Sequence, residues 1–350
     1  MVQVSVIVPL YNVEKYVARA ATSIARQIDE KTSGLEVILV DDGSPDSSLA
    51  LALTLLEDSL PGLHVKAIRQ ENQGLGGARN TGLMAAEGEY AMFLDADDFL
   101  LPDAFAEIRK LIADENPDVI FGSYDLWTEK RGFARTKKAG TEPPLDPEQL
   151  TDWIVGKQPL VAWNAFRYVC RRGFLLRHGI FFETGVYCED VEWSLKLLFA
   201  LEGEGGRLAF LRKPHYAYNH RREGSIMNTV NPKRLVDING IAARLLARHG
   251  DRVLVCRALV RESVFHANEY FLLDGEGRRA AFESYMKVMP LYPRSKFFAY
   301  ALAGRLRHPS VFYVFSAALF AAKMLRRGTI GSCRALARIF HKKNAEGVNA

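Results

Sequence analysis

Short apolar runs alternate with segments of helical periodicity along the first third of the chain. Val4-Ser5-Val6-Ile7-Val8-Pro9 is β-branched and closed by proline, which predicts a buried strand. From Glu14 to Gln27 apolar residues recur at Val17, Ala20, Ala21 and Ile24, a helical spacing. The alternation continues with a strand over Glu36–Val40, a helix over Ser47–Ser59, a strand over His64–Ile68, a helix over Gly76–Glu87 and a strand over Tyr90–Leu94. A helix over Pro102–Ala113 and a strand over Asp118–Gly122 follow. Nearly continuous apolar strands separated by helices predict an α/β fold whose mostly parallel sheet is covered on both faces.

Farther on the pattern loosens. Lys130 to Asp152 is polar, basic and proline-bearing and reads as a loop or domain seam. A helix is expected from Val191 to Leu201, a strand within Arg207–Tyr218 and mostly helix from Lys233 to Asp274. Ser295 to Phe340 reads as two amphipathic helices broken near Pro309 and Gly328. Two regions are expected: a catalytic domain over residues 1–230, with a donor half to about 125 and an acceptor half from about 150, and a helical C-terminal region over 231–350.

In parallel sheets ligands bind beyond the carboxyl ends of the strands. Three predicted strands end on polar or turn residues: Pro9-Leu10-Tyr11-Asn12, Asp41-Asp42-Gly43-Ser44 and Asp95-Ala96-Asp97-Asp98. Carboxylates at i and i+2 of an extended segment share a side, and hard cations such as Mg2+ or Mn2+ prefer such oxygens together with phosphate. Asp97 is the first choice of metal ligand and Asp95 serves metal or ribose. Asp98 either caps the next helix or touches the metal. The competing reading of the whole cluster is a turn and helix cap.

Together these stretches resemble family-2 inverting glycosyltransferases of the GT-A fold, of the bacterial surface-polysaccharide type. The resemblance rests on Ser5-Val6-Ile7-Val8-Pro9-Leu10-Tyr11-Asn12, Val40-Asp41-Asp42-Gly43-Ser44-Pro45-Asp46, Asn72-Gln73-Gly74 with Ala78-Arg79-Asn80-Thr81-Gly82, and Asp95-Ala96-Asp97-Asp98. It continues more loosely through Ala162-Trp163-Asn164, Cys188-Glu189-Asp190-Val191 and Gly224-Ser225-Ile226. The resemblance implies a nucleotide-diphosphate sugar donor, UDP-linked, and a glycan or lipid-linked acceptor. It places Pro9, Tyr11 and Glu14 near the nucleobase, gives Asp42 a hydrogen bond from the base, and lines the nucleotide pocket with Arg79 and Asn80. Asp95 then meets ribose or metal and Asp97 the metal. Asp190 becomes the base that takes the acceptor proton, with Glu189 as supporter or alternate. The bland alternative is that both acids favour the dipole at a helix start.

Weaker candidates remain open. Trp163 either stacks on an acceptor sugar or fills the core. His220, Arg221 and Arg222 lie in a loop that reaches the diphosphate in relatives, or form a solvated basic loop. Gly74, Gly76 and Gly77 match no nucleotide-loop pattern and read as turn glycines. Two further classes stay in view: a nucleotidyltransferase, which typically carries a glycine-rich basic first loop absent from Pro9-Leu10-Tyr11-Asn12, and a non-catalytic sugar-nucleotide binding module.

Charge alters this picture at one end only. The net charge is +5, yet from Lys287 to Lys343 the chain carries twelve Lys or Arg and no Asp or Glu. The apolar run Val311–Ala322 within it is shorter than the roughly twenty residues that span a bilayer. Flanked by basic residues, it predicts a helix lying on a membrane surface, against the alternative of a helix packed on the protein. Nucleic acid is not expected, since no binding motif accompanies the charge. The N-terminus has no basic region followed by an apolar run, so no signal peptide is expected. Composition is ordinary, at 48% hydrophobic and 25% charged. Cys170, Cys188, Cys256 and Cys333 form no CxxC pair. They fit a reducing compartment, and the expected place is the cytoplasm or the inner face of its membrane.

Overall fold

A computed structural model of the chain describes residues 3–27, 34–59, 63–137, 151, 163–220, 230–250, 252–267 and 270–291. The chain forms two compact units, Met1–Ser225 and Ile226–Ala350.

The first unit opens with β1 (Val4–Leu10), α1 (Glu14–Ala25), β2 (Leu35–Asp41), α2 (Ser48–Ser59), β3 (His64–Arg69), α3 (Gly74–Ala85) and β4 (Tyr90–Phe93). These follow the predicted alternation. Next come β5 (Phe99–Leu100), α4 (Ala104–Glu115), β6 (Val119–Thr128), β7 (Gly132–Lys137), β8 (Tyr168–Arg171), α5 (Arg172–Arg177), α6 (Glu189–Glu204) and β9 (Leu208–Asn219). All nine strands join one sheet in the order β3-β2-β1-β4-β8-β6-β9-β5, with β7 hydrogen-bonded to β6.

The first four strands of that order are parallel. Beyond β4 the sheet is mixed, because β8 runs antiparallel between β4 and β6. The strand β7 lies in a stretch expected to be loop. It pairs antiparallel with β6, so Lys130 and Arg131 sit in a hairpin turn. The rest of that stretch, 138–150, lies outside the described residues.

Burial on both faces explains the continuous apolar strands. Val4, Val6, Val8, Val37 and Leu39 pack with Val17 and Ile24 of α1, Leu56 of α2 and Ile108 of α4. Ile7 faces the other way, toward α3, where a Cβ on Gly82 would lie 2.3 Å from the Ile7 Cγ2. Only glycine lets α3 pack this closely on β1. The same face carries α6, whose Trp193 stacks on Phe182 at 4.8 Å and meets the edge of Phe93 at 5.7 Å. At this depth of packing α3 and α6 are fixed relative to the end of β4.

The second unit contributes α7 (Pro232–His249), α8 (Val253–Ala267) and α9 (Gly275–Val288), with α7 packed on both others. Asn231 caps α7 by accepting from the Lys233 N–H at 2.9 Å, and Pro232 opens it. The expected helices over Ser295–Phe340 lie outside the described residues. No helix among the described residues is long and apolar enough to cross a membrane.

Candidate active site

The parallel strands deliver their carboxyl ends to one rim. Register pairs Leu10 with Asp41, and Leu94 donates its N–H to the Ile7 carbonyl at 2.9 Å. Tyr11, Asp42 and Asp95 therefore emerge side by side from β1, β2 and β4.

The loops after β1 and β2 are locked together through Asp46. Its Oδ1 accepts from the Ser44 hydroxyl at 2.6 Å and the Ser48 hydroxyl at 2.5 Å, and its Oδ2 from the Glu14 N–H at 2.9 Å. Burial acts against this carboxylate, but those donors outweigh it and hold its pKa at about 2. Glu14 answers by accepting from the Ser47 N–H at 3.1 Å. Glu14, expected near the nucleobase, is exposed and takes part in this loop clamp. Pro9 is buried within β1. Tyr11, at 51% exposure, stands at the rim. Asp42 is buried, and its Oδ1 accepts from Gln70 Nε2 at 2.7 Å and from the Gln73 N–H at 2.9 Å. Both bonds fix the orientation of its carboxylate.

The acidic stretch after β4 divides by burial. Asp95 and Asp97 are half-buried, while Asp98 is buried. Asp98 is not a helix cap: Asp103 occupies that position before α4. Instead its Oδ2 accepts from the Tyr216 hydroxyl at 2.6 Å and its Oδ1 from the Asn219 N–H at 2.7 Å. Asn219 also donates to the Asp97 carbonyl at 3.2 Å, and Tyr216 accepts from the Asp95 N–H at 3.2 Å. Burial, then the charges of Asp97 and Asp95, push the Asp98 carboxyl well above the usual range. Tyr216 and Asn219 thus hold this loop from β9, a role with no local signal because each lies more than a hundred residues away.

Arg79 is the centre of the arrangement. Expected to line the nucleotide pocket, it is 1% exposed. Its Nη2 donates to Asp95 at 2.8 Å, and its Nη1 to Glu189 at 2.8 Å and Asp190 at 2.6 Å. Burial opposes the charge, but the three carboxylates outweigh it and raise the pKa of the guanidinium. Asn80 is spent on backbone as well, exchanging hydrogen bonds of 2.9 Å with the N–H and carbonyl of Phe182. The Phe182 ring lies under Arg79 at 5.1 Å. Gly76 permits this approach, since a Cβ there would meet the Glu183 carbonyl at 2.6 Å. Gly76 and Gly77 are therefore in the first turn of α3, opened by Gly74 at φ +78°, and are not simple turn glycines.

Glu189 and Asp190 open α6, so their helix-start position and their place in the site coincide. Cys188 before them holds φ +62°, uncommon for a residue with a side chain. The Asp190 Oδ2 accepts from the Ala165 N–H at 3.1 Å. Burial and the charge of Asp190 lift the Glu189 carboxyl to about 7 against the pull of Arg79. Burial also lifts Asp190, again against Arg79. Trp163 is buried and gives its carbonyl to the Ser194 hydroxyl at 2.9 Å, so it belongs to the core. His220 continues the ladder, donating its N–H to the Trp127 carbonyl at 2.8 Å. Arg221 and Arg222 lie outside the described residues.

Asp95, Glu189 and Asp190 thus converge on the single guanidinium of Arg79, with Asp97 two positions beyond Asp95 on the same loop. A different grouping, Glu36, His64 and Glu87, lies at the amino ends of the strands. There Lys66 Nζ stands 2.8 Å from Glu36 and 2.7 Å from Glu87 and already supplies the cation.

A family model described as Glycosyl transferase family 2 matches residues 5–180. The chain belongs to this family. Membership sets aside the nucleotidyltransferase reading and agrees with the fold. Among curated relatives, the uncharacterized glycosyltransferase EpsJ of Bacillus subtilis is 29% identical over 237 residues, 67% of this chain and 63% of that protein. Glycosyltransferase GlyA of Streptococcus pneumoniae is 30% identical over 258 residues, 71% of this chain and 35% of that protein. The chain thus spans less than two thirds of both. Among solved structures, residues 1–349 of S. aureus TarS in complex with UDP-GlcNAc share the fold, with TM-score 0.69 and 22% identity, covering 93% of this chain and 92% of that one. The Pyrobaculum calidifontis mannosyltransferase PcManGT, in complex with GDP-Man and Mn2+, aligns at TM-score 0.53 and 20% identity over 92% of this chain and 86% of that one.

Proposed function

We propose that this family-2 glycosyltransferase moves a sugar from a UDP-linked donor to a hydroxyl of a glycan or lipid-linked acceptor, inverting the anomeric centre. The observation that carries the reading is the meeting of Asp95 and Asp190 on one buried guanidinium: it brings the donor-side acid of β4 and the acceptor-side acid of α6 into a single site. Inversion by direct displacement needs a base on the face opposite the leaving diphosphate. Asp190 is that base, its carboxylate steadied by Arg79 and the Ala165 N–H. Glu189 beside it stores or shares the proton.

Asp42 holds the nucleobase with its Oδ2, since Oδ1 is turned to Gln70 and Gln73. Tyr11 covers the base from the rim, and Asp95 reaches ribose or metal. Asp97, with Asp95, would hold Mn2+ or Mg2+, which when bound neutralises charge on the departing diphosphate. The UDP-GlcNAc bound by TarS supports a UDP donor, and the Mn2+ in PcManGT supports the cation. Residues 1–230 would be the catalytic region, and the basic tail would bring it to an anionic membrane where lipid-linked acceptors lie.

The test is Asp190→Asn. Turnover should fall by about 10²- to 10⁴-fold, the ordinary contribution of a general base, with donor affinity kept. Undiminished transfer would remove the base assignment. Donor binding without turnover by the unaltered protein, across many acceptors, would favour a binding module.

A further inference from the structure

We infer that Arg79 is a positioning residue that ties the acceptor-side base Asp190 to the donor-side acid Asp95, and not a ligand of the nucleotide. This rests on the transfer reading above and deepens it. At 1% exposure the guanidinium presents no surface to a donor. Both of its Nη atoms are committed to Asp95, Glu189 and Asp190 at 2.6–2.8 Å. Its face lies 5.1 Å from the Phe182 ring and 6.0 Å from Phe93. Phe182 is itself fixed from both sides, by the Asn80 amide on its backbone and by Trp193 stacked on its ring at 4.8 Å. Adjacent residues of α3 thus build one strut: Arg79 grips the acids and Asn80 secures the ring beneath it.

The geometry has a kinetic consequence. Asp95 leaves β4 and Asp190 opens α6, ninety-five positions apart, so no shared backbone sets their separation. Arg79 spans them with a planar fork that a lysine ammonium cannot reproduce. Loss of the fork leaves the base present but free to turn, and small misplacement of a reacting group is costly in turnover. A nucleotide ligand would behave differently, weakening donor binding first.

The experiment compares the full chain with Arg79→Lys, which keeps a cation in the core. Donor affinity is measured by titration calorimetry with UDP-GlcNAc and Mn2+, and turnover by transfer or donor hydrolysis at saturating donor. Arg79→Lys is expected to bind donor within about threefold of the unaltered chain while kcat falls about a hundredfold, in the range reported for misplaced catalytic groups. If Arg79→Lys fails to fold, Arg79→Gln, which keeps a polar group on the acids, is measured in its place, and the same split is expected. Donor affinity lowered more than tenfold with kcat retained would overturn the inference, as would an unchanged kcat. An unaltered chain inert toward every donor would overturn the transfer reading, and this inference with it.

Discussion

The chemistry concentrates on few side chains, and their environment sets their protonation. Glu189 and Asp190 share one Nη1 of Arg79 and are both raised, Glu189 to about 7. Neighbouring acids this close titrate as a pair. For carboxyls raised in the folded protein, the proton stays on below the raised value and leaves above it. The base therefore works only on the alkaline side of that transition. The acid limb of kcat/KM is expected above the ordinary carboxylate range near 4, and a pH–rate profile measures it. A limb near 4 would show that the pair does not control the reaction. The acids themselves were legible in sequence. Arg79 was legible as a site residue, but its ion pairs were not, because Asp95, Glu189 and Asp190 reach it only through the fold.

Asp46 binds the start of α2 through Ser48 and the start of α1 through the Glu14 N–H, so one carboxylate positions two helices under the rim. Asp46→Ala is expected to lower stability by about 1–2 kcal/mol, the range for a lost helix cap, read from the midpoint of urea unfolding. Because the folded pKa is about 2 and the ordinary value is 3.8, this contribution is full above about pH 4 and lost as pH falls toward 2. An unchanged midpoint at pH 7 would contradict the clamp. The strands β1, β2 and β4 were readable because they are buried on both faces and are mostly apolar. By contrast β8 ends on Arg171 and is flanked by Arg167 and Arg172, and β7 is an edge strand with exposed Phe133. Their pairing with β6 and β4 is a long-range choice that local pattern does not encode.

At the scale of the whole molecule, a parallel half-sheet and a mixed half-sheet meet at β4, and in the proposed reading the first serves the donor and the second the acceptor. The first was foreseeable from alternating strands and helices. The second depends on β8 entering antiparallel between β4 and β6, which brings Ala165 against Asp190. The proposed metal-assisted donor site rests on the carboxylates of Asp95 and Asp97 at that junction. The measurement that meets this claim most directly needs no acceptor: calorimetric titration of UDP-GlcNAc in Mn2+ and in EDTA, for the unaltered chain, Asp97→Ala and Asp190→Asn. Binding in Mn2+ alone, lost in Asp97→Ala and kept in Asp190→Asn, is the predicted result. Equal donor affinity in EDTA and in Asp97→Ala would contradict a metal-assisted donor site at the end of β4.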